Sequence, residues 1–300
     1  MPPLPAVVSQ DGPKITVNAF LKDPLMIPNI VVSMMGQSFI ADTVLRSAGQ
    51  AESGVVRYEE STPIYADSTV RVRAEMAEVP IAQGSFGNPN VAYTSDRSLS
   101  VVVTDEDRRR SNIDKVNVRM MQVKNTIIQA WDDAFITAVT GNAGVNTFAA
   151  AGVWSGANYD IRNDVLSAAK LVDTAVDAQG SQFGFMADTL IVNKTTKYDL
   201  LRSTQFQTPY VGNIASENLK YTGVLPQKLL GFDVLVTPRL ANGTAILLQR
   251  GVAGFIADEV PLNATALYRD EPRKLWRSDV QRVSAVGLDQ PKATTVITGI

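Results

Sequence analysis

Six consecutive charges, Asp105-Glu106-Asp107-Arg108-Arg109-Arg110, stand at the threshold of a long helical pattern within VVVTDEDRRRSNIDKV. Such a block could serve acid–base chemistry, grip phosphates, or make ion pairs at a joint between molecules. As a phosphate patch it is poor, because the acids partly neutralise the arginines and no aromatic residue interleaves with them. As a helix start the order is favourable. The acids fall where the helix N-terminus carries partial positive charge, with Thr104 and Ser111 as candidate caps. The three arginines oppose that same dipole and are expected to reach outward, since the guanidinium fork suits bidentate partners at interfaces.

Other residues with chemical potential are less organised. Carboxylates pair at Glu59-Glu60 and Asp132-Asp133. Adjacent residues oppose each other on a strand and diverge by about 100° on a helix, so neither pair is a ready-made dyad, and a solvated face is expected for both. GSFGNPN, residues 84–90, lacks the spacing of a phosphate-binding loop and reads as a turn. Lys194 and Lys197 flank a strand-to-helix junction without the glycines that let a backbone approach an anion.

Composition narrows the classes further. The 300 residues include no cysteine and no histidine. Disulfides, thiol nucleophiles, Ser–His and Cys–His catalysis and the usual zinc and haem sites are excluded, leaving carboxylate, lysine, tyrosine or hard-metal chemistry. No cofactor is expected. With 28 basic and 30 acidic residues the formal net charge is −2, which argues against a chain whose main task is gripping nucleic acid. Apolar residues make up 45%, enough for a sizeable core. MPPLPAVVSQDGPK lacks the features of a signal peptide, and no apolar run is long enough to span a bilayer. A soluble chain made and used in a cytoplasm is expected.

The elements that must position these residues can be read along the chain. Six prolines between Pro2 and Pro28 predict an extended arm over residues 1–30, whose apolar residues need a groove of its own fold or of a neighbour. QSFIADTVLRSA, 37–48, predicts a short helix. VVRYEESTPIYADSTVRVRAEMAEVPI and AYTSDRSLSVVVT predict strands around the 84–90 turn, a hairpin-like excursion too polar at its tip to form its own core. From Asn112, Ile113, Val116, Met120, Val123, Ile127, Trp131, Ala134 and Ala138 recur at steps of three and four. They predict a helix over 112–140, about 40 Å long. A second helix is expected in RNDVLSAAKLVDTAVDAQG, with Asn163 or Asp164 near its cap and Gly180 after its end. ADTLIVN should be a buried strand and KTTKYDLLRS a helix started near Asn193. Residues 204–223 read as a polar loop. The remainder alternates strands and turns, closing with LWRSDVQRVSAVGL and KATTVITGI as two antiparallel strands joined around Asp289-Gln290-Pro291.

This order of elements resembles the major capsid proteins of tailed bacteriophages, of the Hong Kong 97-type capsid fold, from about residue 37 to the end. The likeness is carried by SLSVVVTDEDRRRSN leading into a long helix that ends in WDDAFITAVTG, by RNDVLSAAKLVDTA, by ADTLIVNKTTKYDLLRS, by KLLGFDVLVTPRL and by SDVQRVSAVGLDQPKATTVIT. The resemblance implies an α+β fold with an N-terminal arm at 1–53, an extended E-loop at 54–95 and a P-domain at 96–159 holding a spine helix of about 112–140. An A-domain at 160–270, with a central sheet flanked by helices, and P-domain closing strands at 271–300 complete it.

It also implies a non-enzymatic structural subunit of an icosahedral or prolate shell, forming hexamers and pentamers around a double-stranded DNA genome. That shell is expected in the virion, after assembly in the bacterial host's cytoplasm. Expected partners are other copies of the chain, a separately encoded scaffolding protein, a portal, a decoration or cement protein and non-specifically held DNA, with no membrane. No lysine occurs between Lys22 and Lys115, so covalent crosslinking through an E-loop lysine is not expected, and locking should be non-covalent through E-loop and arm. The short proline-rich start predicts that no large N-terminal piece is removed. Candidate inter-subunit contacts are Arg108, Arg109, Arg110, Glu59, Glu60, Arg71, Arg73, Phe86 and Tyr210. An encapsulin-like compartment shell is the same-fold alternative, although MPPLPAVVSQDGP is unlike a cargo-capturing helix. A carboxylate- or lysine-based enzyme is the remote one.

Overall fold

The computed structural model describes residues 23–35, 39–68, 70–110, 113–156, 159–203 and 228–300. Its axis is the helix that the stripe of apolar residues predicts, α4 at Ile113–Gly141; the three elements α1–α3 that precede it are Met26–Met35, Ile40–Val44 and Asp105–Arg110. The 29 residues of α4 span about 43 Å at 1.5 Å per residue. Two cores form along this helix. Val116, Met120, Val123, Ile127 and Trp131 pack with Ile27, Val31 and Met35 of α1 and with Val101, Val103 and Val280. One turn further on, Phe135 and Val139 join a second core with Ala41, Val44, Ile191, Ile246 and Val296. Among the described residues no helix is long and apolar enough to cross a membrane.

Helix α1 departs from the extended arm expected over residues 1–30. Pro28 lies in its first turn, where the missing N–H would have no intrahelical acceptor, so proline does not oppose helix there. Ile27 and Val31 are fully buried in the chain's own core, so the chain's own fold covers this end of the expected arm. Residues 1–22 lie outside the described residues. Of the helix expected over 37–48, the described residues 39–48 hold only α2, and β1 (Arg46–Gln50) follows it.

Among the described residues thirteen strands form three sheets: β1, β2 (Val55–Glu60), β3 (Asn88–Tyr93), β4 (Ser95–Thr104), β5 (Asn146–Ala149), β6 (Thr189–Asn193), β7 (Lys228–Leu229), β8 (Phe232–Thr237), β9 (Thr244–Leu248), β10 (Phe255–Ala264), β11 (Tyr268–Asp270), β12 (Leu275–Gly287) and β13 (Thr294–Thr298). β12 is the centre of a five-stranded sheet. It pairs antiparallel with β4 along the whole of that strand, and with β10 and β11 in succession, while β1 runs parallel to β10. The second sheet has the order β5-β13-β9-β6-β8-β7. The last two strands are therefore not the antiparallel pair that the sequence predicts. The turn at 289–291 carries the chain from one sheet to the other, and β13 pairs with β5 and β9.

Helix α5 (Ile161–Asp173) is capped by Asp160, whose carboxylate accepts the Asn163 N–H at 3.0 Å, one turn earlier than the cap expected at Asn163 or Asp164. Asp164 is instead buried, accepting hydrogen bonds from Trp154 Nε1 at 3.0 Å and the Tyr159 hydroxyl at 2.5 Å. The helix ends at Asp173, before Gly180, which occupies a turn at φ +82°. Helix α6 (Lys194–Arg202) starts as predicted, with the Asn193 side chain accepting from Thr195 N. The predicted loop 204–223 falls outside the described residues.

Candidate functional site: the charged threshold and the extended loop

The charge block forms the short helix α3, wedged between β4 and α4. Thr104 caps it: its hydroxyl accepts the Asp107 N–H at 3.2 Å and donates to the Asp107 carboxylate at 2.7 Å. Asp107 turns inward to an ion pair with Arg119, one helix later. Burial works against the charge of Asp107, yet the hydrogen bonds from Thr104 and Arg119 hold its carboxyl below the usual range. Asp105 receives both NH1 and NH2 of Arg269, at 3.3 and 3.0 Å, and Arg269 also donates to Glu271 at 2.5 Å while lying over the Trp276 ring. Asp105 and Asp107 thus knit the joint together from within. Arg108, Arg109 and Arg110 lie on its exposed side, and Arg109 Nε donates to the Asp105 carbonyl at 3.4 Å.

Around this joint lies an open cleft of about 980 Å³ lined by Thr104, Asp105, Glu106, Arg108, Arg109, Arg269, Glu271, Arg273 and Lys274. The side chains come from α3 and from the β11–β12 turn, brought together because β12 pairs with β4 up to Thr104. No single segment of the sequence contains this cleft. Among the described residues no group of three or more acidic, histidine or cysteine side chains could hold a metal ion.

The second unusual surface is the excursion between β2 and β3. Its stem is a regular antiparallel ladder from Val55↔Tyr93 to Glu60↔Asn88. Tyr58 anchors it edge-to-face on Phe255, centroids 5.2 Å apart, and Ala51, Ala92, Ala257 and Ala285 pack alongside. Gly287 makes this seat possible, because a Cβ there would lie 2.5 Å from the Phe255 ring. At the far end of the stem, Gly87 passes so close to Glu60 that a Cβ would meet its carbonyl oxygen at 2.4 Å.

Beyond the stem the strands expected in VVRYEESTPIYADSTVRVRAEMAEVPI do not continue past Glu60, and the described residues of 61–87 carry no ladder. The physical reason is the absence of a second surface. Val70, Val72 and Met76 are 97–104% exposed, and Ile81 and Phe86 are at least 80% exposed, so these residues gain nothing from pairing within one chain. At the tip, Ala77 N donates to Ala74 O at 3.1 Å and Arg73 NH1 closes the turn on Ala77 O at 2.9 Å. Met76, third residue of that turn, sits at φ +66°, a conformation usually left to glycine. At the neck, Gln83 N donates to the Asp67 carboxylate at 2.9 Å.

The candidate contact residues thus divide between two places. Arg108–Arg110 stand at the joint, whereas Arg71, Arg73 and Phe86 lie on the excursion with Glu59 and Glu60 on its stem. Glu59 accepts from Gly87 N at 3.4 Å, and Glu60 from Asn90 Nδ2 at 3.1 Å, so this pair holds the stem and forms no dyad. Tyr210 lies outside the described residues.

Asp132 and Asp133 diverge on α4 as expected, but the solvated face expected for them holds only for Asp133. Asp133 receives the fork of Arg239, Nε and NH2 both at 2.9 Å. Asp132 is buried and accepts the Ile40 N–H at 3.1 Å, and burial pushes its carboxyl up to about 6 against that hydrogen bond. A further internal group escaped sequence reasoning. Arg282 is 4% exposed, forks onto Asp42 at 2.8 and 2.9 Å, reaches Asp258 at 3.0 Å and stacks against Phe39 and Trp131. The phase of β12 was the available signal, since Arg282 alternates with Ser278, Val280 and Ser284 on its buried face.

Comparison with known proteins completes the picture. A family described as phage capsid protein matches residues 90–297. No curated protein matches the chain. Among solved structures, the virus-like particle from Pyrococcus furiosus is similar at a TM-score of 0.63 and 11% identity, covering 90% of this chain and 97% of that one. The capsid of cyanophage P-SCSP1u is similar at 0.61 and 11% identity, covering 85% and 86% of the two chains. A protein of Mycobacterium phage Che8 is similar at 0.58 and 14% identity, covering 82% and 85%.

Proposed function

The chain belongs to the phage capsid protein family, with the Hong Kong 97-type fold, and from that premise we propose that it builds a closed shell of hexamers and pentamers around a double-stranded DNA genome. It is a structural subunit that assembles with its own copies into a capsid. The observation that carries the finer reading is the exposed excursion, the E-loop. A chain that projects Val70, Val72, Met76 and Ile81 into water needs a second surface to cover them, and in a homo-oligomer that surface belongs to the next copy. The division into arm, E-loop, P-domain and A-domain follows the same reading. So does a role for Arg108, Arg109, Arg110, Arg71, Arg73, Glu59, Glu60, Phe86 and Tyr210 in contacts between subunits.

Locking is non-covalent in this account, through E-loop and N-terminal arm, because the E-loop offers no lysine. A scaffolding protein, a portal and a decoration protein are the partners that such a shell would engage, in the host cytoplasm before the virion is complete. The chain works by surface complementarity rather than by catalysis.

Electron microscopy of the expressed chain, alone and with its genomic neighbours, tests the proposal. Regular shells of pentamers and hexamers are expected; a persistent monomer under all assembly conditions contradicts it. The likeness to the Pyrococcus furiosus virus-like particle favours a second reading, a compartment shell. Nuclease-protected DNA inside purified shells supports the genome container, whereas protein cargo without DNA supports the compartment.

A further inference from the structure

Asn242-Gly243 is the single Asn-Gly step in the sequence, and it carries chemistry that needs no second molecule but water. A side-chain amide is attacked most readily by the main-chain nitrogen of a following glycine, because no Cβ crowds that nitrogen.

The step lies in the turn between β8 and β9, whose carbonyls the fold holds firmly. Thr244 closes the turn, its N–H and hydroxyl donating to Ala241 O at 3.3 and 2.7 Å. The Leu240 carbonyl accepts from the Asn193 amide, and the Gly243 carbonyl accepts from Gly299 N and Ile300 N at 3.0 and 3.3 Å. Gly243 is third in this turn at φ +79°, a conformation that glycine adopts without strain. Its N–H, unlike the carbonyls around it, has no hydrogen-bond acceptor among the described residues. Asn242 is exposed, and its amide nitrogen donates to none of the described residues. Its amide oxygen receives the Thr195 hydroxyl at 3.0 Å. A free nucleophile, a free leaving group and a donor to the carbonyl oxygen therefore meet at one exposed turn.

We propose that Asn242 is a site of spontaneous covalent modification, in which Gly243 N attacks Asn242 Cγ and the Thr195 hydroxyl stabilises the charge developing on Oδ1. The N–Cγ bond forms, the Cγ–Nδ2 bond breaks, and ammonia leaves with the proton that Gly243 N gives up. A five-membered imide remains, and water opens it. Cleavage at Cγ leaves an aspartate in an ordinary chain. Cleavage at the main-chain carbonyl of Asn242 leaves an isoaspartate, with an extra methylene in the backbone. Either product adds a negative charge to the copy that bears it.

The two products load the fold differently. An aspartate keeps an acceptor for Thr195 and places its charge beside the first turn of α6, where the helix dipole favours it. An isoaspartate lengthens a turn whose ends are fixed by Thr244 and whose Gly243 carbonyl holds the chain after β13. The inference is independent of the shell reading and holds for a lone subunit.

To test it, the purified full chain is kept for weeks at mildly alkaline pH and physiological temperature, then digested with trypsin, which releases Leu240–Arg250 as one peptide. Conversion of this peptide from amide to acid ahead of every other asparagine-containing peptide is expected, with labelling of the same peptide by an isoaspartate-specific methyltransferase. Asn242→Gln should abolish both signals. Thr195→Val should slow conversion roughly two- to tenfold, the net worth of one hydrogen bond, while Thr195→Ser keeps the parent rate. Asn242→Asp, which reproduces the first product, should melt no lower than the parent, and the isoaspartate-bearing fraction, separated by ion exchange, should melt lower. A Leu240–Arg250 peptide that stays unconverted, or that lags behind other asparagines, overturns the site. An unchanged or faster rate in Thr195→Val, folded by circular dichroism, overturns the role of the hydroxyl.

Discussion

The spine helix and the excursion treat apolar residues in opposite ways. Along α4, Met120, Trp131, Phe135 and Val139 are each about 1% exposed, and Arg119 and Asp133 on the same helix find ion-pair partners inside the chain. Between Ser61 and Gly87, Val70, Val72 and Met76 are at or near full exposure, and among the described residues no ladder joins the two arms beyond the stem. The first region completes its burial within one molecule; the second can complete it only against another surface. The difference separates what makes the subunit fold from what makes it assemble. Mutations should divide along the same line.

The largest expected effect lies in the spine. Trp131→Ala removes the side chain between Arg97 and Arg282 and should cost about 3–5 kcal/mol, read as a lowered denaturant midpoint of the unassembled chain. Next is Arg282→Ala, which leaves Asp42 and Asp258 without their fork and should cost about 3 kcal/mol; a loss below 1 kcal/mol would show that the network is incidental.

A smaller, pH-dependent effect belongs to Asp132, which faces Asp133, Asp42 and Arg239 and has its carboxyl raised from 3.8 to about 6. Between those values the folded chain holds a proton that the unfolded chain releases, so this group's contribution to stability falls as pH rises through that window. Asp132→Asn keeps an acceptor for the Ile40 N–H. It should match the parent near pH 4 and melt roughly 2–4 °C higher above pH 7, by calorimetry across pH. Equal melting temperatures at all pH values would contradict the assignment.

The smallest effect on the subunit should come from Val70→Ser with Val72→Ser. These residues are exposed in the single chain, so its stability should change by less than about 0.5 kcal/mol while shell formation is lost. A comparable destabilisation of the unassembled chain would erase the contrast between the two regions.

The same contrast marks what was legible in the sequence. The spine was readable because Val116, Met120, Val123, Ile127 and Trp131 recur at steps of three and four, and the Asn193 cap because a short acceptor precedes its helix. Helix α1 was obscured by Pro28, whose cost vanishes in the first turn of a helix. The separation of β12 from β13 left no local trace, since a turn at 289–291 serves equally for a hairpin and for a crossing between sheets. The cleft at the joint was half legible. The charge block announced itself, but Arg269, Arg273 and Lys274 reach it only through the pairing of β12 with β4. The strand-like alternation of VRVR was present without a partner strand, because the pattern reports a face that must be covered and not the molecule that covers it.

The central claim is tested most directly by hydrogen–deuterium exchange of residues 61–87 in the unassembled chain and in purified shells, with α4 as internal reference. The account predicts fast exchange of 61–87 in the unassembled chain and strong protection in shells, while the middle of α4 is protected in both. Equal, fast exchange of 61–87 in both states would contradict it.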